Sequence, residues 1–231
     1  MYNSENFMSN KTIKYRKADL NNKSYRNKKS YLVLMLALFI STFVSAGPNE
    51  METMYSINLL GTKIGKFSIV QKSENGNVNI EAITDVEVKL LFTYRIKYIQ
   101  NTVYEQGVLK SSNVKTYKNG KLNSDTMLKL ENDVYLRIVD GDTAVVNYPI
   151  TYSGSLLYFN EPVGVKQLYK ERTAEMRPIT LLSDHTYVVT DENKRELNRY
   201  IYKDGILEYA KMQHPIGAME LERVIENSHN D

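Results

Sequence analysis

Cysteine and tryptophan are both absent from the 231 residues, and there are only three histidines and five prolines. Without thiols the chain has no disulfide, no thiolate nucleophile and no cysteine-ligated metal. His185, His214 and His229 stand far apart with no HxxxH or HExxH spacing, so a zinc centre has nothing to build from. His185 follows Ser183-Asp184 and His214 precedes Pro215, both turn settings, and His229 falls in a polar tail; all three read as solvated residues. A glycine-rich phosphate loop is missing, and Ser153-Gly154-Ser155 lacks the flanking glycines of a GxSxG nucleophile elbow. Asp140-Gly141-Asp142 brings two carboxylates close together, but a calcium loop needs further oxygen ligands at fixed spacing, and the run reads as a hairpin tip. The expectation is a non-enzymatic protein with no catalytic residue, no metal site and no cofactor.

Long apolar runs are also scarce. Residues 1–30 hold eight Lys/Arg against Glu5 and Asp19, and Tyr31–Ala46 follows as an apolar stretch ending in Val44-Ser45-Ala46. That is the basic, apolar, small-residue order of a secretory signal, and the apolar part is shorter than the roughly twenty residues a spanning helix needs. Residues 1–46 are therefore expected to be a cleaved signal peptide and 47–231 a single domain, periplasmic or secreted, with no transmembrane anchor after cleavage. Of 30 basic and 27 acidic residues, eight and two lie in the signal, which leaves 22 against 25. The excess of positive charge thus belongs to the signal, and a nucleic-acid partner loses its compositional support.

What the chain does have is tyrosine and alternation. Fourteen of the 18 tyrosines, but only Phe67, Phe92 and Phe159, lie beyond residue 46. A tyrosine buries a large ring while keeping a hydroxyl for a polar partner, and it suits sheets and cleft rims. Period-two runs recur throughout. In Asn77–Val88, Val78, Ile80, Ala82, Val86 and Val88 share one face; Met51–Leu60 and Leu122–Leu130 alternate likewise. Asn75-Gly76, Asn119-Gly120, Asp140-Gly141 and Asp204-Gly205 tolerate the positive φ of two-residue hairpin turns, with weaker signals at Gln106-Gly107 and Asn132-Asp133. Gly61 and Gly65 suggest a turn or bulge. The pattern predicts a meander of roughly a dozen antiparallel strands, with no long helical segment for parallel crossovers.

One stretch breaks the alternation. Thr143–Asn160 carries no charge, and Pro149 and Pro162 bracket its apolar middle. The spacing of Tyr152, Leu156 and Phe159 predicts a short helix over Thr151–Phe159, capped by Thr151 or Ser153, with Gly154 against it. Tyr152, Leu156, Leu157, Tyr158 and Phe159 are the candidate ligand-binding residues, either lining an apolar pocket or plugging the core. Val163–Met176, rich in Lys and Glu, reads as a solvated loop or short second helix.

Pro149-Ile150-Thr151-Tyr152, the run Leu157-Tyr158-Phe159-Asn160-Glu161-Pro162, Tyr187 and the Tyr202–Gly205 hairpin together resemble an uncharacterised family of exported bacterial proteins common in Bacteroidota, a domain of unknown function with LYFxEP as its most specific element. More distantly the chain resembles the half-barrels of periplasmic lipoprotein carriers, which implies a curved antiparallel sheet around an apolar cavity. The fold expected is all-β, a single curved sheet or open β-barrel enclosing one short central helix. The function expected is binding of a lipid or other apolar or amphipathic ligand in the concave face. The alternative is a structural or partner-binding module with a filled core, and least favoured is a hydrolase using Asp140, Asp142 or Glu161.

Overall fold

The computed structural model describes residues 49–89, 93–214 and 217–225. The signal segment, the expected Gly47 terminus and the tail with His229 lie outside the described residues. Fourteen strands follow one another: β1 (Asn49–Leu59), β2 (Thr62–Glu74), β3 (Asn77–Lys89), β4 (Thr93–Glu105), β5 (Val108–Lys118), β6 (Lys121–Glu131), β7 (Val134–Val139), β8 (Asp142–Val146), β9 (Gln167–Lys170), β10 (Glu175–Ser183), β11 (Thr186–Thr190), β12 (Glu196–Lys203), β13 (Ile206–Met212) and β14 (Met219–Arg223). They form one antiparallel sheet in the order β8-β7-β6-β5-β4-β3-β2-β1-β14-β13-β12-β11-β10-β9. Each half is a plain meander, and the halves join where β14 pairs with β1, Ile57 facing Leu221. β8 and β9 are the two edges, and no ladder closes them into a barrel.

The turn chemistry explains the regularity. Asn75-Gly76, Asn119-Gly120, Asp140-Gly141, Asp204-Gly205, Gln106-Gly107 and Asn132-Asp133 all adopt paired positive φ, the backbone twist that matches a right-handed hairpin. Leu60-Gly61 does the same between β1 and β2, where the turn had only been suspected. Gly65 is required for a different reason: a Cβ there would lie 2.3 Å from the Asp85 carbonyl oxygen of the neighbouring strand. The ladder of β1 and β2 shifts register next to it, at Ile57/Asn58.

Inward positions follow the alternation. Tyr55, Ile57 and Leu59 of β1, Phe67 and Ile69 of β2, and Ile80, Ala82, Val86 and Val88 of β3 are buried, while their neighbours carry the charged outer surface. Leu122 departs from the expected face because it sits at the tip of the β5–β6 hairpin, where it is exposed. The inner face is not uniformly apolar. Gln100, Thr102, Ser112, Thr116 and Thr126 are buried on β4 to β6 and are partly satisfied by one another, with Gln100 donating to Thr102 and Thr102 to Ser112.

Two expectations are corrected. The helix predicted over Thr151–Phe159 does not form; in its place is one five-residue 3-10 turn, Gly154–Tyr158. Ser153 is fully extended, Gly154 opens the turn, and three-residue bonds (Leu156 N–H to Ser153 O, Phe159 N–H to Leu156 O) form it, with one four-residue bond, Asn160 N–H to Leu156 O, at its end. A segment pinned at both ends across the sheet gains more from those pins than from another helical turn, and isolated short helices are marginal in any case. The second correction concerns Val163–Met176, which holds β9 and the start of β10; Leu168 and Tyr169 there are among the most deeply buried side chains.

Candidate functional site

Residues 147–166 run from one edge of the sheet to the other across its concave face, and we call this segment the strap. Its anchors are specific. Leu109 N–H of β5 donates to Ile150 O, and Tyr169 N–H of β9 donates to Tyr152 O. Ser153 makes a parallel bridge to Tyr169. Backbone polar groups carried into a protein interior must find partners, and here tyrosine hydroxyls supply many of them. The Tyr135 hydroxyl donates to Leu109 O at 2.8 Å and accepts from Ile150 N–H. Tyr104 donates to Ser153 Oγ at 2.6 Å, Tyr202 to Leu157 O at 2.9 Å and Tyr152 to Asn160 O.

The start of the 3-10 turn is held by a buried carboxylate. Glu171 Oε1 accepts from Ser155 N–H at 2.9 Å and from the Ser153 hydroxyl, and Oε2 accepts from Gly154 N–H at 3.0 Å. Glu171 is only 5 % exposed. A Cβ on Gly154 would stand 2.8 Å from Glu171 Oε2, so the cradle needs glycine there. Sequence reading placed Glu171 in a solvated loop or short second helix; the one signal available was Ser153-Gly154-Ser155 itself, whose N–H groups at the head of a turn call for an acceptor from elsewhere.

The five proposed ligand-binding residues all sit in the strap. Leu157 and Phe159 are buried, while Tyr152, Leu156 and Tyr158 are half-buried against the core. Tyr158 packs its ring on Tyr55 and Phe67, with centroids 5.6 and 4.8 Å apart. The interior around these rings is dry enough to push phenol ionisation upward: burial raises Tyr158 and Tyr202 far above the ordinary value and carries Tyr55 to about 12.

At the far end of the strap, Glu161 accepts from the Tyr187 hydroxyl at 2.9 Å and meets His185 Nδ1 at 3.1 Å. Burial, then the hydrogen bond to Glu161, lift the Tyr187 phenol to about 12. His185 is in a turn with φ +56° and is mostly exposed. Asp140 is engaged elsewhere, with Oδ1 accepting from Asp125 N–H at 2.8 Å at the hairpin tip. Among the described residues no three His, Asp or Glu side chains are grouped to hold a metal, and no helix is long and apolar enough to cross a membrane.

Among the described residues, the outer face carries open depressions. One of about 760 Å³ is lined by Leu122, Met127 and Ile138 with Asn113, Lys115 and Asp125. Another, about 440 Å³, is lined by Ile96, Ile99 and Tyr117 with Arg95 and Lys97. Asn113, Lys115, Asp125 and Met127 alternate with buried Val114, Thr126 and Leu128, which places the larger depression on the convex side.

Comparison with known proteins gives a family and a fold. A family model described as Domain of unknown function (DUF6134) matches residues 55–224. No curated protein matches. Among solved structures, the chain is similar to a crystal structure of a β-barrel-like protein of the domain of unknown function DUF1849 from Brucella abortus, with a TM-score of 0.51 and 13 % identity over 75 % of this chain and 94 % of that one. At that identity the likeness speaks for the fold alone.

Proposed function

For a chain that belongs to the domain-of-unknown-function family DUF6134, we propose a non-enzymatic role as an exported, soluble module of the bacterial envelope, a half-barrel filled by its own strap that meets a protein partner through its outer surface. The observation that supports this reading is the occupied concave face. Ile150, Leu157 and Phe159 of the strap are buried with Leu168 and Tyr169 of β9, and the strap's backbone is bonded to Tyr135, Tyr202 and Glu171. A site already filled with well-anchored side chains offers a ligand no apolar area that is not in use. The outer depressions, with isoleucines and a methionine beside amides and charges, have the mixed composition of a non-obligate protein interface. Hydrolysis draws no support, because Glu161 and Asp140 are each committed to separate hydrogen-bond partners.

A second reading, binding of an amphipathic ligand, rests on Tyr152, Leu156 and Tyr158 remaining half-buried at the rim of the strap. Native mass spectrometry of the purified protein, followed by titration with a fluorescent fatty acid, separates the two. The filled-core reading expects the bare polypeptide mass and no saturable uptake. Stoichiometric uptake that weakens in Leu156→Ala would replace it with the second.

A further inference from the structure

The two edges of the sheet are finished differently. β9 is covered by the strap, whose Tyr152 O accepts from Tyr169 N–H and whose Ser153 bridges the same residue. β8 is bare: no described strand pairs with its outer side. The two-residue turn at Asp140-Gly141 makes Val139 and Asp142 a hydrogen-bonded pair, and by alternation Ala144 with Arg137 and Val146 with Tyr135 are the next ones. The N–H and C=O groups of Thr143 and Val145 therefore point away from β7, two donors and two acceptors set at the spacing of a further strand. Edge strands are ordinarily blunted by lysine, proline or a bulge. Thr143-Ala144-Val145-Val146 holds no charge and no proline, and its ladder with β7 runs without a register shift. Thr143 faces Ile138 and Ile138 faces Met127, both in the lining of the larger outer depression, so Thr143 and Val145 project on the outer face, where Val145 is 66 % exposed.

We propose that β8 pairs antiparallel with β8 of a second copy of this chain, giving a two-fold dimer whose sheets run on into one another. With the axis at Ala144, Thr143 exchanges both backbone hydrogen bonds with the partner's Val145, and Val145 does the same with the partner's Thr143. Ala144 then meets the partner's Ala144 at the close, non-hydrogen-bonded position, where small side chains fit. This register uses all four outward groups of each copy. Charge is what makes the edge self-complementary. Asp142 is the one charge on β8, and it faces the partner's Val146. The two Asp142 carboxylates stand four residues apart along the ladder, about 13 Å at strand rise and beyond the roughly 8 Å Debye length of physiological salt. The exposed Val145 gains the partner's Thr143 as a cross-strand neighbour. Because β8 is five residues long, the contact is small and the dimer is weak and concentration-dependent. The inference stands whether or not the outer depressions take a protein partner.

The test is sedimentation velocity of the purified protein over a wide range of concentration, combined with amide hydrogen exchange along β8. The expected result is a reversible monomer–dimer equilibrium in which the Thr143 and Val145 amides gain protection as the dimer forms. Ala144 and Val146, bonded to β7, should be protected at every concentration and serve as the internal reference. Val145→Pro removes an outward N–H and no bond to β7, and proline is tolerated on an edge strand, so the dilute monomer should melt as the parent does. The same variant should weaken dimerisation by roughly tenfold to a hundredfold, the worth of the two hydrogen bonds lost per dimer. Val145→Lys leaves the backbone intact and sets two ammonium groups about 7–8 Å apart on the diagonal, so it should weaken the dimer more at low salt than at high salt. A protein that stays monomeric throughout would overturn the proposal, as would a dimer in which Thr143 and Val145 exchange freely. Protection of those two amides in the monomer would mean that another segment of the same chain covers the edge, and it too would overturn the proposal, as would a Val145→Pro protein that dimerises as tightly as the parent.

Discussion

The first eight strands and the strap are built on opposite plans. From β1 to β8 every described connection is a two-residue turn, most backbone groups pair along the ladders, and most inward side chains are apolar or small. The strap has almost no ladder of its own, so Tyr104, Tyr135, Tyr202 and Glu171 provide partners from other elements and Tyr152 supplies one from within. In the first region structure follows from local sequence; in the second it follows from what the rest of the fold presents. The tyrosine-rich, tryptophan-free composition then has a physical reason, since a ring fills the concave face while its hydroxyl takes up a stranded carbonyl or amide.

The largest expected effect is alkaline. Burial raises the phenols of Tyr55 and Tyr200 to about 12, and burial with the Glu161 bond does the same for Tyr187, against 10.0 in the unfolded chain. Below pH 10 both states are protonated and nothing is lost. As pH rises from 10 towards 12 the unfolded chain gives up its protons first, so stability falls across that window. Tyrosinate absorbance and circular dichroism followed together should change in one cooperative step; phenol ionisation complete near pH 10 with the fold intact would mean the rings are not buried.

Glu171→Ala comes next. It strands Gly154 N–H, Ser155 N–H and the Ser153 hydroxyl inside the protein, and urea denaturation should show a loss of about 3–5 kcal/mol. Leu157→Ala should cost about 2–5 kcal/mol through lost transfer energy and the cavity left behind, whereas half-buried Leu156→Ala should cost less than about 2 kcal/mol. Equal costs for the two leucines would contradict the packing of the 3-10 turn. At the small end, Gly120→Ala in the β5–β6 turn meets no neighbouring atom and suffers only its φ of +80°, a loss of about 1–2 kcal/mol confined to the meander.

Legibility divided along the same line. The hairpins could be read because Asn-Gly and Asp-Gly dipeptides and period-two runs are local signals. The strap's direction across the sheet could not, because no local pattern records that Ile150 meets β5 and Ser153 meets β9. Helical spacing of Tyr152, Leu156 and Phe159 suggested an α-helix where a 3-10 turn forms, and the charges of 166–175 hid the burial of Leu168, Tyr169 and Glu171. An isolated glutamate in a charged run carries no mark that distinguishes a solvated side chain from a buried cradle. Of the five candidate ligand-binding residues, Leu157 and Phe159 are buried while Tyr152, Leu156 and Tyr158 are half-buried, a division that the sequence does not mark.

The central claim is that the strap is a fixed part of the interior. Native-state amide hydrogen exchange tests it at Gly154 and Ser155, whose N–H groups are bonded to Glu171 and to no ladder. The account predicts that both exchange as slowly as ladder amides in the middle of β1, and that protection at these two positions collapses in Glu171→Ala before it does in β1 to β4. Exchange at Gly154 and Ser155 as fast as at exposed Gly164, with β1 still protected, would contradict it.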